Sequence, residues 1–543
     1  MKNFKNPDIS YENILQEGEE PPVLSEYIDK NFRSACEGEA GRHVKEIIVV
    51  ANRGVIADKI TRAALAAGKK VIILQDPRDL PWRDIFVDKN VEIFEFERCL
   101  SLLKVDGEIS GSIQAIQALK DLLEERGLDL SKVAVHPGYG LWSERVDHLE
   151  AVEKLGLSVV GPHSSSVELL GNKINALELA KEAGLTVPRS SGKIHTVDGA
   201  LKFFTGYRGE ITSFLLKDAA GGGGSGQLLI ESHDIERFIE AVETFLQNHP
   251  NFSVDEYLPK TMHVEFQVCV DEDGSVCFGK SRNCTVQRDH QKYLEETAEI
   301  PEKTLIEIQK GIGKLFRKLK EKTGRSYMGL ATVEMLYDPK KKTFYFLEVN
   351  TRIQVEYPVS AHYDGINYPL TMLDIADGKR LRSKKAIDGQ KISNVGYVIE
   401  ARICAEEPVP EATRKVLARI GKVGINFMPA GGEIEKWKPP SGEGVFVYLD
   451  PRIDEGVLVR GTFDSMLAQV VVIAKSRAEG IQKLEEAVKA FKIAGVETNI
   501  ELILHTLCHE EFLAGGDALA GRTAAPDAIA RVIAAKLGKA NGN

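Results

Sequence analysis

The chain has 543 residues, 43% of them hydrophobic, and a formal net charge of −10. That length suits about three or four domains, with several buried cores. The acidic balance gives no support to a nucleic-acid or anionic-membrane partner, no apolar run reaches the roughly 18 residues of a membrane span, and the seven scattered cysteines hold no CxxC pair for zinc.

Residues 1–44 are polar and acidic and read as an extension, partly ordered at best, with Ile14 and Leu15 as docking candidates. The start lacks an apolar signal core and is too acidic for a transit peptide. With the odd cysteine count, the expected location is cytoplasmic. Residues 46–54 (EIIVVANRG), the helical pattern IADKITRAALAAG and the run KKVIIL predict strand, glycine turn, helix and strand. They open a doubly wound parallel α/β domain over 45–160, without the GxGxxG fingerprint. Residues 76–130 are hard to place apart from the helical pattern GSIQAIQALKDLLEERG. Residues 133–144 (VAVHPGYGLWSE) predict a strand and a glycine loop at its carboxyl end, where ligand loops sit. A helical linker over 161–187 follows, with Ser164 to Ser166 as cap candidates and Lys173 inside.

A small domain over 188–258 is marked by FLLKDAAGGGGSGQLLI. A strand delivers Lys217; then Gly221, Gly222, Gly223, Gly224 and Gly226 let backbone N–H groups approach phosphate oxygens. Within 259–512, HVEFQVCV, the turn DEDG and VCFGKSRN predict a hairpin. Gln287, His290, Lys292, Glu295 and Glu296 crowd the loop after it. A long helix leads to two strands expected to pair antiparallel, bringing Glu334 toward Glu348.

The second of these strands begins residues 344–359, FYFLEVNTRIQVEYPV. From Glu348 onward every second residue is polar: Glu348, Asn350, Arg352, Gln354, Glu356. An extended chain puts all five on one face. Carboxylate and amide oxygens suit Mg²⁺, and a guanidinium suits a bicarbonate or phosphate oxygen pair. A strand with Arg402 comes next, then a β-rich region over 415–475 and a helical tail over 513–543.

A lysine–glycine loop followed by a two-carboxylate–Asn strand pair looks like the ATP-grasp arrangement. The segments VVANRGVIA, HPGYGLWSE, LLGNKINA, HVEFQV, QRDHQKYLEE, EVNTRIQVEYPV, IEARICAEEP, TFDSML and VETN run in order from about residue 45 to 505. Together they resemble the biotin carboxylase family, the ATP-dependent component of biotin-dependent carboxylases. The resemblance implies an α/β and α+β multidomain fold: the N-terminal parallel domain, an ATP-grasp core and a β-rich C-terminal domain. It implies that Lys173, Lys217 and the glycines hold ATP, that Asp255, Glu256, Tyr257 and Leu258 bracket the adenine, and that His263, Gln287 and His290 complete that pocket. Glu334, Glu348 and Asn350 would bind Mg²⁺ or Mn²⁺. Lys292, Arg352, Gln354, Val355 and Glu356 would hold bicarbonate, with Glu356 as its base. Arg402 would face the ureido oxygen of biotin, with Tyr139 near the ring. The implied catalytic set is Lys292, Arg352, Glu356 and Arg402, making N1-carboxybiotin by way of carboxyphosphate.

Val55, Arg145, Ser225, Tyr357 and the pair Asp255-Glu256 depart from the family pattern, and none removes a catalytic residue. The chain has no Met-Lys-Met biotin attachment segment. The expected partners are therefore a separate biotin carboxyl carrier protein and a carboxyltransferase subunit, with a homodimer as the expected assembly. A different ATP-grasp ligase and a non-catalytic scaffold homologue are the alternative readings. The carboxyl acceptor is not written in this sequence.

Overall fold

The run IIVV forms the strand Ile47–Val50 with every residue buried, as a parallel strand covered on both faces requires. It is the middle of a five-stranded parallel sheet ordered Val91–Glu95, Lys70–Gln75, Ile47–Val50, Val133–His136, Ser158–Val159. The computed structural model describes residues 32–40, 44–82, 85–86, 90–100, 111–218, 227–231, 234–288, 291–382, 395–410, 413, 427–460 and 464–515. The helix Gly54–Ala66 buries Val55 against this sheet. The pattern at 111–127 is the helix Gly111–Glu125.

The helical linker is two helices, Ser164–Gly171 and Lys173–Glu182. The break is local: the Asn172 side chain accepts from the N–H groups of Ile174 and Asn175, capping a new helix instead of continuing the old one. The expected serine cap is also displaced. His163 stands at the N-cap, and Ser164 Oγ donates to Glu153 Oε2 at 2.6 Å. In the small domain, the strands Phe214–Asp218, Gln227–Ile230 and Phe252–Glu256 form an antiparallel sheet with Phe214–Asp218 central. The helices Val197–Tyr207 and Ile235–Leu246 bury Phe204 and Phe238 against it.

The site rests on one long antiparallel sheet. Its path runs Thr343–Asn350, Gly329–Asp338, Met262–Val270, Arg282–Asn283, Leu294–Thr297, Tyr397–Cys404, Met466–Ala474, Val445–Leu449. The expected hairpin is there, with Cys269 opposite Cys277. So is the expected pairing of Glu334 with Glu348. Glu295 and Glu296, expected in a loop, lie on the strand Leu294–Thr297.

The extended reading beyond Glu348 fails after Asn350, where the strand ends. Residues 351–356 turn, and a helix Tyr357–Asp364 starts directly after Glu356. Pro358 sits in its first turn, where its missing N–H has no intrahelical partner to lose.

Part of the 1–44 extension has a fixed place. Cys36–Glu37 pairs antiparallel with Arg380–Leu381, and the Ala35 N–H donates to Thr371 Oγ1 at 3.0 Å. Phe32 is buried, edge-on to His362 at 5.0 Å between ring centres. Ile14, Leu15 and the 516–543 tail lie outside the described residues. No helix among the described residues is long and apolar enough to cross a membrane.

Candidate active site

Strand alternation puts His263, Glu265 and Gln267 on one face of Met262–Val270. Register then sets Glu265 opposite Glu334, and Glu334 opposite Glu348. On the other side Glu265 faces Arg282. Three carboxylates therefore stand abreast across three strands. Facing like charges repel, so the row needs cations.

Two supply it. Arg282 is fully buried; its Nη2 donates to Glu265 Oε2 at 3.0 Å and Gln354 Oε1 at 2.9 Å, and its Nη1 to Gln267 Oε1 at 2.9 Å and Ser360 Oγ at 2.8 Å. Lys292 comes from the short strand Gln291–Lys292, paired back on Gln287–Arg288. Its Nζ contacts Glu265 Oε1 and donates to Glu334 Oε1 at 3.0 Å and Glu356 Oε1 at 2.8 Å. Burial pulls this ammonium down, but the three glutamates more than reverse that and hold it well above its usual range. Glu334 moves the other way. Burial raises it, yet Lys292 and His263 hold it well below the usual carboxylate range. His263 is lifted to about 9: burial lowers it, and Glu334, 2.8 Å from Nε2, together with Glu265 at 3.5 Å outweighs the burial.

Glu356 joins two cations. Its Oε1 receives Lys292, and its Oε2 accepts from Arg402 Nη2 at 2.8 Å. Arg402 Nη2 also contacts Glu295. Gln354 is bonded at both ends, to Arg282 and, through Nε2, to Glu334 Oε1 at 3.0 Å. The Val355 carbonyl accepts from Gln469 at 2.8 Å. Arg352 Nε donates to Glu144 Oε2 at 2.8 Å, and its Nη2 to Asn350 Oδ1 at 3.4 Å. Glu144 belongs to the loop after Val133–His136, so this pair ties the parallel domain to the site.

That same loop carries Tyr139. Asn52 Nδ2 donates to the carbonyls of Pro137 at 2.6 Å and Tyr139 at 2.8 Å. Gly138 has φ +66°, and a Cβ there would lie 2.6 Å from Asn52 Nδ2, so both conformation and space require glycine.

The nucleotide-binding candidates are more loosely held. Lys173 Nζ is 3.4 Å from Glu348 Oε2, and Lys217 Nζ is 2.9 Å from Asp255 Oδ2. Asp255 also accepts from Ser190 Oγ at 2.6 Å. Glu256 ends that strand, the Tyr257 N–H donates to Ser213 O at 2.9 Å, and Leu258 is buried. Gln287 Nε2 lies 3.4 Å from His263 Nδ1. His290 and the loop with Gly221, Gly222, Gly223, Gly224, Ser225 and Gly226 fall outside the described residues. Of the other departures, Arg145 pairs with Asp147 at 2.8 Å, and Tyr357 is buried edge-on to Tyr368 and Tyr448.

Glu334 and Glu348 occupy facing positions, with Asn350 two residues on and its Nδ2 donating to Glu334 Oε1 at 2.6 Å, and carboxylate and amide oxygens are the donors a hard divalent cation takes. His263, Glu265 and Glu334 also cluster tightly enough for a metal. There, however, Lys292 and Arg282 already match the charge, and a hard cation favours oxygen over imidazole.

Sequence reasoning missed Glu265, Arg282 and Glu144. The first had a signal: HVEFQV places His263, Glu265 and Gln267 at period two in an otherwise apolar strand. Arg282 and Glu144 had none, because their partners lie far along the chain.

Three family descriptions match the chain: biotin carboxylase, N-terminal domain over residues 44–167; carbamoyl-phosphate synthase L chain, ATP-binding domain over 172–384; and biotin carboxylase C-terminal domain over 419–519. The chain is 32% identical over 478 residues to biotin carboxylase 1 of Bacillus subtilis, covering 86% of this chain and 96% of that protein. It is 31% identical over 481 residues to one of the pyruvate carboxylase subunits of Methanothermobacter thermautotrophicus, covering 86% and 87%. Among solved structures, it resembles the biotin carboxylase domain dimer of Hydrogenobacter thermophilus 2-oxoglutarate carboxylase, in complex with MgADP, ADP and bicarbonate. There the TM-score is 0.72 at 25% identity, over 90% of this chain and 99% of that one.

Proposed function

The chain belongs to the biotin carboxylase family, and on that footing we propose that it joins bicarbonate to biotin at the expense of ATP, releasing ADP and phosphate. The observation that carries this reading is Glu356 held between Lys292 and Arg402, one carboxylate oxygen to each. The two cations stand on either side of the carboxylate that would take the proton, placed to meet the oxygens of bicarbonate and of biotin.

We assign the roles as follows. Lys292 and Arg352 hold the bicarbonate oxygens, with Gln354 and Val355 shaping that pocket, and Glu356 takes the proton, which makes the oxygen nucleophilic. Lys217, Lys173 and the glycine loop draw the ATP phosphates into line for attack. Asp255, Glu256, Tyr257 and Leu258 line the adenine side, with His263, Gln287 and His290 completing the nucleotide pocket. Glu334, Glu348 and Asn350 would hold Mg²⁺ or Mn²⁺, which when bound neutralises charge on the transferred phosphoryl oxygens. Arg402 stabilises the oxyanion that develops on the ureido group of biotin, and Tyr139 packs beside that ring. Biotin arrives on a separate carrier protein, and the product passes to a carboxyltransferase. The relatives include parts of pyruvate and 2-oxoglutarate carboxylases, and the acceptor here is a 2-oxo acid or an acyl-CoA. We propose a homodimer in the cytoplasm, with the domain limits given above.

The test is ADP release by the purified chain with Mg-ATP and bicarbonate, with and without free biotin, beside Lys292→Ala and Arg402→Ala. Biotin-stimulated turnover lost in both variants is the expected result. A wild type that binds ATP but ignores biotin would favour another ligase or a scaffold.

A further inference from the structure

Five buried carboxylates share the site with three permanent cations. Glu265, Glu334, Glu356 and Glu295 each contact Lys292, Arg282 or Arg402, and His263 adds a charge beside Glu334 when protonated. Glu400 is the fifth. It is fully buried and stands directly opposite Glu295 across the strand pair. Its Oε1 accepts from Gln469 Nε2 at 2.5 Å. Its Oε2 has no hydrogen-bond partner among the described residues. An ionised carboxylate buried without a cation of its own is so costly that it takes up a proton instead.

Glu295 and Glu400 occupy facing positions, where side chains lie close enough to couple. Arg402 is two residues beyond Glu400 on the same face of the same strand. We propose that Glu295 and Glu400 hold one proton between them, and that this proton sets the position of Arg402. With the proton in place, the guanidinium is shared between Glu295 and Glu356. Without it, two negative charges draw Arg402 onto the Glu295–Glu400 pair, away from Glu356 and from the oxyanion it serves. Both residues are positioning groups for Arg402.

Every element around the pair bears on it. Arg402, Glu356 and Lys292 face Glu295, and Arg402, Glu356 and Tyr357 face Glu400, with the Gln469 amide at its Oε1. Burial raises both carboxyls, and Arg402 only partly opposes it.

The consequence for Arg402 rests on the biotin-carboxylation reading; the proton does not. Infrared spectra of the wild type test the proton directly. A protonated-carboxyl C=O band is expected near pH 7, lost as the pH is raised further and absent near pH 7 in Glu400→Gln. Absence of that band from the wild type overturns the proposal, whether or not the variant folds. The kinetic arm is the pH dependence of kcat with free biotin. In Glu400→Gln the ratio of kcat at about pH 9 to that near pH 7 rises at least about threefold over wild type, and Glu400→Asp restores the wild-type ratio. A profile that drops in parallel at every pH would make Glu400 merely structural. A wild type with the infrared band but no biotin-dependent turnover would instead sink the reaction assignment.

Discussion

Lys292 touches three carboxylates and Arg282 reaches Glu265, Gln267, Ser360 and Gln354. At the other end of the same site, Lys173 and Lys217 each make one ion pair among the described residues, at 3.4 and 2.9 Å. Glu265 and Glu334 are buried in the long sheet, where a charge must be answered inside the protein, while Glu348 at the end of the row is only half-buried. Lys173 begins the second linker helix and Lys217 lies near the end of the small domain's central strand, both partly exposed, and on the proposed reading their charges meet the incoming phosphates. On the proposed reading, the bicarbonate and biotin end is thus held together by its own ion pairs before substrate arrives, while the nucleotide end is held by fewer.

Breaking the pre-assembled end has the larger effect. Arg282→Met leaves Glu265 buried without its guanidinium, and should cost about 3–5 kcal/mol of unfolding free energy, measured by urea denaturation. A loss below about 1 kcal/mol would mean that Lys292 carries the row alone. Lys292→Ala removes the cation shared by Glu265, Glu334 and Glu356. Biotin-dependent ADP release should fall about 10²–10³-fold, equivalent to about 2.7–4 kcal/mol.

Lys217→Ala tests the nucleotide end. KM for ATP should rise about tenfold, about 1.4 kcal/mol, and Tm should fall as well, since the buried Asp255 loses its cation. An unchanged KM for ATP would mean that Lys217 serves Asp255 alone.

The smallest effect concerns His362, in the last turn of the helix that follows Glu356. Burial pushes this imidazole down to about 3, against about 6.5 when unfolded. The folded protein binds fewer protons between those values. Its contribution is therefore whole above about pH 6.5 and is lost as pH falls toward the folded value. The stability advantage of wild type over His362→Phe should narrow by under about 1 kcal/mol between about pH 7.5 and 6. An advantage that is constant or grows on acidification would contradict a buried neutral ring.

What was legible in the sequence follows from range. The parallel sheet could be read from runs such as Ile47–Val50, because burial on both faces leaves a continuous apolar signature. The pairing of Glu334 with Glu348 was legible because only a short turn separates their strands. The strand end at Asn350 was not. Polar alternation at 350–356 fits an extended chain as well as the turn that forms, and the residues still converge because Arg282 and Lys292 gather Gln354 and Glu356. Arg282, Glu144 and Glu400 stayed hidden, since each takes its meaning from a partner that only the folded register supplies.

The pairing of Leu294–Thr297 with Tyr397–Cys404 joins segments about a hundred residues apart in one sheet, and this bears on how such genes can be recombined. A crossover between the two segments would set one parent's Glu295 against the other parent's residue at position 400. Chimeras that take both strands from the same parent keep the proton pair and its arginine together, whatever happens to the glycine-loop module. Natural or laboratory shuffling among relatives should therefore tolerate exchange of residues 188–258 more readily than any junction placed between 297 and 397.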